Sequence, residues 1–261
     1  KLSTGLGSHQ YQAPEAALKA KWFETVDQKT DAPSDDVNRL PTDAQVIGAI
    51  QRQSHDNTVI MCAAGTMPGS LHQLWKAGKP LSYHMEYGFS CMGYEVAGGL
   101  GIKLAEPERD VVVMVGDGSY MMMNSELATA VAMGVKITIV LTDNRGYGCI
   151  NRLQMSTGGA QFNNLYDHSN VSEMRIDFAA HAASMGAKSV HVKTISELEE
   201  ALTNARASQE TNVIVIDTDP YSTTEAGGHF WDVPVPQISS RPEVLDARKL
   251  YDTNIQGRRS S

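Results

Sequence analysis

Five short apolar, β-branched runs most constrain what this chain can fold into: "TVIMC" (58–62), "VVVMV" (111–115), "ITIVL" (137–141), "SVHV" (189–192) and "VIVID" (213–217). Each is too short for a helix and lacks the alternation of a half-exposed strand, so each reads as a strand buried on both faces. Helical patterns lie between them. Val46, Ile47 and Ile50 follow a capping box of Thr42 and Gln45, and Ile195, Leu198 and Leu202 follow a second box of Thr194 and Glu197. Strands that alternate with helices predict an α/β fold, a doubly wound, mostly parallel sheet with helices on both faces. Right-handed crossovers then leave a ligand crevice at the carboxyl ends of the strands.

With 261 residues and 41% apolar content, the chain can bury one large core with appendages. Residues 1–40 read as the end of a preceding domain and a linker, with "PEAALKAKWFETV" (14–26) as that domain's last helix and the polar "TVDQKTDAPSDDVNRL" as the connection. Residues 41–225 carry the strand and helix pattern. Residues 226–261, with Pro234, Pro236 and Pro242, lose periodicity and are expected to pack on the domain as an irregular tail. The absence of an initial methionine suggests part of a longer protein.

Charge and cysteine content exclude several classes of function. Thirty acidic against 22 basic side chains give a net charge of −8, and no basic run offers a footprint for nucleic acid. No apolar run approaches a membrane span, and no signal peptide opens the sequence. Three cysteines, Cys62, Cys91 and Cys149, are an odd count suited to reduced thiols in the cytoplasm.

Two of the expected strands end on oxygen-bearing side chains. Asp117 follows "VVVMVG" and Asn144 follows "ITIVLTD", one strand–helix–strand unit apart and both on the edge where such a sheet binds ligands. A GDG turn or an Asn-Arg-Gly turn is common alone; the pair at neighbouring strand ends is not. Gly116 and Gly118 leave room for close approach, and Asn124 reads as the cap of the next helix, so amides near Gly118 and Ser119 could meet a diphosphate. A magnesium ion held by the Asp117 carboxylate, the Asn144 amide oxygen and the Gly146 carbonyl would neutralise it.

The segment "GDGS…TDNRGYG" resembles the cofactor signature of thiamine-diphosphate enzymes. "EYGFSCMGYEVAGGLGIKLAEP" (86–107) is similar to the stretch that precedes GDG in acetolactate synthases and benzoylformate decarboxylases. The resemblance implies Met92 as the apolar wedge beneath the cofactor and the Ser90 carbonyl as acceptor for its aminopyrimidine. It implies Gly65 and Thr66, in "AAGTMPGS", near the diphosphate, with Gly116, Gly118, Ser119 and Tyr147 completing the cofactor set. Asp143 departs from the pattern, since many relatives carry a second asparagine there. Gly98, Gly99 and Gly101 are candidates for close helix packing.

A narrower resemblance covers Pro41 to Arg241. "AAGTMPGSLHQLWKAGKPLSYHMEYGFSCMGYEVAGG" and "FWDVPVPQIS" are similar to the trihydroxycyclohexanedione hydrolases of myo-inositol degradation, which open a cyclic 1,2-diketone to 5-deoxyglucuronate. Thiamine diphosphate and Mg²⁺ are the implied cofactors, and the implied substrate is a polyhydroxylated cyclic diketone. The glutamate that activates the cofactor in this family lies on an N-terminal pyrimidine-binding domain, so no catalytic residue is expected on this chain. A partner subunit in a homodimer or homotetramer would supply it. His72, His84, Glu86 and His229 are polar candidates for facing the substrate. An acetolactate-synthase-like or 2-oxoacid decarboxylase activity is the nearest alternative, and a non-catalytic assembly role with an empty crevice is another. A serine hydrolase elbow at "GFSCMG" fails because Met92 stands where glycine is required, and "GDGSYM" lacks the third glycine of a nicotinamide-binding turn.

Overall fold

The computed structural model describes residues 13–32, 36–86, 88–168, 175–222 and 235–259. In chain order these form α1 (Ala13–Thr30), α2 (Asp43–Gln53), β1 (Thr58–Cys62), α3 (Thr66–Leu74), β2 (Tyr83–Met85), α4 (Tyr94–Ala105), β3 (Asp110–Gly116), α5 (Asp117–Met122), α6 (Ser125–Ala132) and β4 (Thr138–Asp143). Then follow α7 (Gly148–Ser156), a 3-10 turn at Tyr166–His168, α8 (Phe178–Ser184), β5 (Lys188–Val192), α9 (Ile195–Ala207), β6 (Asn212–Asp217) and α10 (Pro242–Arg259). The strands make one open sheet in the order β2-β1-β3-β4-β6-β5, and every pairing is parallel.

The two faces are separated residue by residue, as the period of two along a strand requires. Val112 and Met114 join the core formed by Ile47 of α2, Leu71 of α3 and Leu198 of α9. Val111, Val113 and Val115 point to the other core, with Val96 of α4, Leu127 of α6 and Phe178 of α8. Full burial of one such aliphatic side chain contributes about 1.5–3 kcal/mol, so the paired cores hold the strand ends rigidly.

The caps explain where the helices begin. Thr42 and Gln45 exchange both capping bonds at α2. The second box forms by half: Thr194 Oγ1 accepts from the Glu197 amide, but Glu197 Oε2 turns to the amide of Lys193, 2.7 Å away. Asn124 stands at the start of α6 in right-handed helical conformation and makes no side-chain cap bond, because α5 has already begun at Asp117.

Three expectations need correction, and one strand was not expected. The stretch 25–30 continues α1 as helix instead of opening a linker, because α1 docks: Val26 is buried, the Trp22 Nε1–H donates to the Gln73 carbonyl at 3.3 Å, and Arg52 Nη1 reaches the Thr30 carbonyl at 2.8 Å. Residues 242–259 are the helix α10, not irregular chain; Pro242 occupies its first turn, where the missing N–H costs nothing, and Arg241 Nε bonds the Gly158 carbonyl at 2.8 Å. The run 189–192 is not buried on both faces. It lies in β5, the sheet's edge, where Val190 is exposed. Finally β2 is an added strand, unmarked in the sequence because it is three residues long with a polar centre.

Candidate functional site

The strand order places the site. From β1 the chain moves outward to β2, then returns across β1 to β3, so the connections leaving β1 and β3 diverge and open a crevice at their carboxyl ends. A cleft of about 210 Å³ lies there. Gly65, Ser90, Met92, Gly116, Asp117, Gly118, Ser119, Asn144, Gly146 and Tyr147 all line it, so nearly every site residue expected from the sequence meets in one place. Thr66 opens α3 beside them, and its side chain lies outside the described residues.

Asp117 is completely buried, and its Oδ2 accepts the Gly146 amide at 2.7 Å. This bond ties the GDG turn to the Asn-Arg-Gly turn. Among the described residues Oδ1 of Asp117 is buried without a hydrogen-bond partner. Burial, followed by the neighbouring Asp143 carboxylate, pushes the Asp117 carboxyl up to about 8, against the pull of the Gly118 and Gly146 amides. Asp143 is itself raised by burial, although its Oδ1 accepts the Arg145 amide at 2.8 Å. Two acids thus crowd one strand-end corner. An unpartnered carboxylate oxygen, a nearby amide and a main-chain carbonyl form a hard oxygen donor set that fits Mg²⁺. The Asn144 side chain is buried and its Oδ1 lies 3.4 Å from the Gly148 amide.

Two glycines are set by close approach here. Gly146 adopts φ 135°, a conformation that disfavours any side chain, and a Cβ there would meet the Asn164 carbonyl at 2.6 Å. At Gly118 a Cβ would meet the Tyr147 ring at 2.9 Å and the Gly146 carbonyl oxygen at 3.4 Å. Tyr147 therefore lies directly over the GDG turn.

The other wall comes from the segment between β2 and α4. Glu86 accepts the amides of Phe89 (3.1 Å) and Cys91 (2.7 Å), which hold its carboxyl below the usual range. This clamp supports Ser90 in a left-handed conformation, φ 52°. Met92 follows at the cleft lip, 36% exposed. Opposite, Met67, Ile150 and Leu153 give an apolar lining.

None of His72, His84 and Glu86 lines this cleft: His84 stacks on Tyr94 with ring centroids 6.2 Å apart, and Glu86 serves the turn just described. His229 lies outside the described residues. Sequence reasoning missed Asp43, which lines the cleft from the first turn of α2 and pairs with Arg152 at 3.7 Å, and it missed Glu95. A carboxylate inside the apolar pattern of α4 was the available signal for the latter. Of the three candidate packing glycines, Gly99 abuts Val113, Gly98 abuts Tyr94 and Gly101 faces open space.

Fold and site together define the cofactor domain of a thiamine enzyme. Residues 63–217 match the family described as "Thiamine pyrophosphate enzyme, C-terminal TPP binding domain", and the chain belongs to it. Relatives include proteins named 3D-(3,5/4)-trihydroxycyclohexane-1,2-dione hydrolase from Bacillus cereus (strain AH820) and Bacillus anthracis (strain CDC 684 / NRRL 3495), each 43% identical over 226 residues. These alignments span 84% of this chain but 35% of either relative. Among solved structures, a thiamine diphosphate-dependent 4-hydroxybenzoylformate decarboxylase of Rhodococcus jostii RHA1 shares the fold, with TM-score 0.64 and 19% identity over 74% of this chain and 34% of that one. The benzoylformate decarboxylase of Polynucleobacter necessarius gives a TM-score of 0.60 at 21% identity, over 72% and 35% of the two chains. Among the described residues no helix is long and apolar enough to cross a membrane.

Proposed function

We propose that this chain is the cofactor-binding part of a cytoplasmic, thiamine-diphosphate- and Mg²⁺-dependent hydrolase that opens trihydroxycyclohexane-1,2-dione, the compound in the names of its 43% identical relatives, to 5-deoxyglucuronate. The observation that carries the cofactor assignment is the Asp117 carboxylate, aligned by the Gly146 amide and left with a buried, unpartnered oxygen at the switch point of the sheet.

When bound, thiamine diphosphate supplies the nucleophilic carbon and the electron sink for carbon–carbon cleavage. Asp117, Asn144 and the Gly146 carbonyl would hold the metal that neutralises its diphosphate. Met92 and the apolar wall of Met67, Ile150 and Leu153 would pack against the bound cofactor and keep water from it. Ser90, fixed by the Glu86 clamp on the same wall as Met92, would accept the aminopyrimidine at its carbonyl. Among the described residues only Asp43 and Asp117 bring a carboxylate to the cleft lining. The activating glutamate would therefore come from the N-terminal pyrimidine-binding domain of a partner subunit in a homodimer or homotetramer. That partner would cover the rim where Phe89 stands 92% exposed.

The test offers the natural gene product, loaded with both cofactors, a trihydroxylated cyclic 1,2-diketone and, separately, pyruvate. Ring-opened acid from the diketone is the expected result, with no turnover by the 261-residue chain by itself. Carbon dioxide released from pyruvate while the diketone stays intact would replace the hydrolase with a synthase or decarboxylase.

A further inference from the structure

We infer that Glu95 is the positioning residue of the cofactor cleft: its buried carboxylate fastens the loop after β1, the turn before α4 and the start of α5 to one another. The inference rests on the thiamine diphosphate reading above and names the part of this chain that keeps that site in register.

Glu95 is the second residue of α4 and is 0% exposed. Its Oε1 accepts the Ala64 amide at 3.2 Å, and the Ser119 hydroxyl lies 2.8 Å from each carboxylate oxygen. Ser119 Oγ in turn accepts the Gly93 amide at 2.8 Å. With Glu95 ionised and one proton on the hydroxyl, the directions follow: Gly93 N–H to Ser119 Oγ, Ser119 O–H to Glu95, and Ala64 N–H to Glu95. Two of the three partners, Ala64 and Ser119, line the cleft themselves, and all three stand next to other residues expected to face the cofactor. Ala64 precedes Gly65, Gly93 follows Met92, and Ser119 lies two residues beyond Asp117. Glu95 itself does not line the cleft.

A carboxylate buried in this way is expensive, and burial raises its carboxyl above the ordinary range. Among the described residues no cation contributes to its environment; only hydrogen bonds offset the cost. An apolar side chain would fill the same volume with less desolvation. What the carboxylate alone supplies is an acceptor with two oxygens, able to serve an amide from one loop and a hydroxyl from another helix together. Tertiary contacts of this kind orient metal- and cofactor-binding groups, and their loss typically weakens binding about 10- to 100-fold.

The experiment uses Glu95→Ala, Glu95→Gln, Ser119→Ala and the Glu95→Ala/Ser119→Ala double variant of the natural gene product. Thiamine diphosphate affinity is measured by calorimetry in saturating Mg²⁺, and urea unfolding is followed in parallel. Glu95→Ala and Ser119→Ala are expected to weaken cofactor binding by about 10-fold or more. Glu95→Gln, which keeps one oxygen acceptor, should recover most of that loss, and the double variant should bind no worse than the weaker single one, since both remove one network. Should Glu95→Ala fail to fold, unchanged affinity in Ser119→Ala still overturns the inference, and a loss there supports it only if Glu95→Gln, at a residue that does not line the cleft, shows a smaller loss of the same kind. Cofactor affinity equal to wild type in Ser119→Ala and Glu95→Ala, whatever the change in stability, would overturn the inference alone. Wild-type protein that takes up no thiamine diphosphate would overturn the cofactor reading, and this inference with it.

Discussion

Alanine substitutions at Gly99 and Gly101, two residues apart on α4, are expected to change stability in opposite directions. Gly99 is buried against β3, and a Cβ there would stand 2.2 Å from Val113 Cγ2. Val113 is fully buried in the central strand, and its β-branched side chain is restricted at χ1 and enclosed by the core, so it has little room to swing aside. Overpacking of this kind costs about 1–3 kcal/mol, and an overlap this deep belongs at the upper end. Helix propensity returns about 1 kcal/mol on replacing glycine by alanine. The net expectation for Gly99→Ala is a loss of about 2 kcal/mol. Gly101 is exposed, and among the described residues nothing beyond its own stretch of helix backbone lies within 4 Å of its Cβ position, so only the propensity gain remains, about 0.5–1 kcal/mol of added stability. Urea unfolding of the two variants beside wild type measures both. Equal stability for Gly99→Ala and wild type, or a shift of the same sign in both variants, would refute the packing of α4 on β3. The stakes extend to the site, because the same helix carries Glu95 and starts directly after Met92 and Gly93.

The strand-end acids predict a pH signature for the metal-free protein. Because the folded-state pKa of Asp117 is raised to about 8 from 3.8, the folded chain binds the extra proton between those values, and stability from this group falls as pH rises from about 4 through about 8. Thermal midpoints recorded without Mg²⁺ from pH 5 to 8 should decline, more shallowly in Asp117→Asn, and Mg²⁺ with thiamine diphosphate should restore most of the loss at pH 8; an unchanged slope in the variant would contradict the assignment. At the GDG turn, Gly118→Ala would place a Cβ 2.9 Å from the Tyr147 ring. Displacing that ring should weaken thiamine diphosphate binding about 10-fold or more, and calorimetry showing unaltered affinity would mean that Tyr147 is not part of the site.

Periodicity and chain order were legible in the sequence, because continuous β-branched runs, capped amphipathic helices and the parallel sheet they imply are local patterns with one physical outcome. That Asp117, Asn144 and Gly146 meet at one cleft was legible for a related reason: Asp117 and Asn144 directly follow strands, Gly146 lies in the turn after the second, and strand ends of such a sheet converge. Boundaries set by docking were not. Residues 25–30 and 242–259 carry no strong pattern of their own, and their helices form against Gln73, Arg52 and Gly158, which are remote in sequence. The exposure of β5 follows from its place at the sheet edge, which depends on how all six strands order themselves.

Within the site, the sequence by itself determined which residue types stand at the switch point. Only the tertiary structure decided how they are held, because hydrogen bonds across long sequence separations follow from packing, not from neighbours in the chain. Glu95 meets Ala64 and Ser119, and Asp117 meets Gly146, only after β1, β3 and β4 lie side by side in parallel. A glutamate inside an apolar helix pattern looks like an interruption in one dimension; in three it is the common acceptor of two other segments.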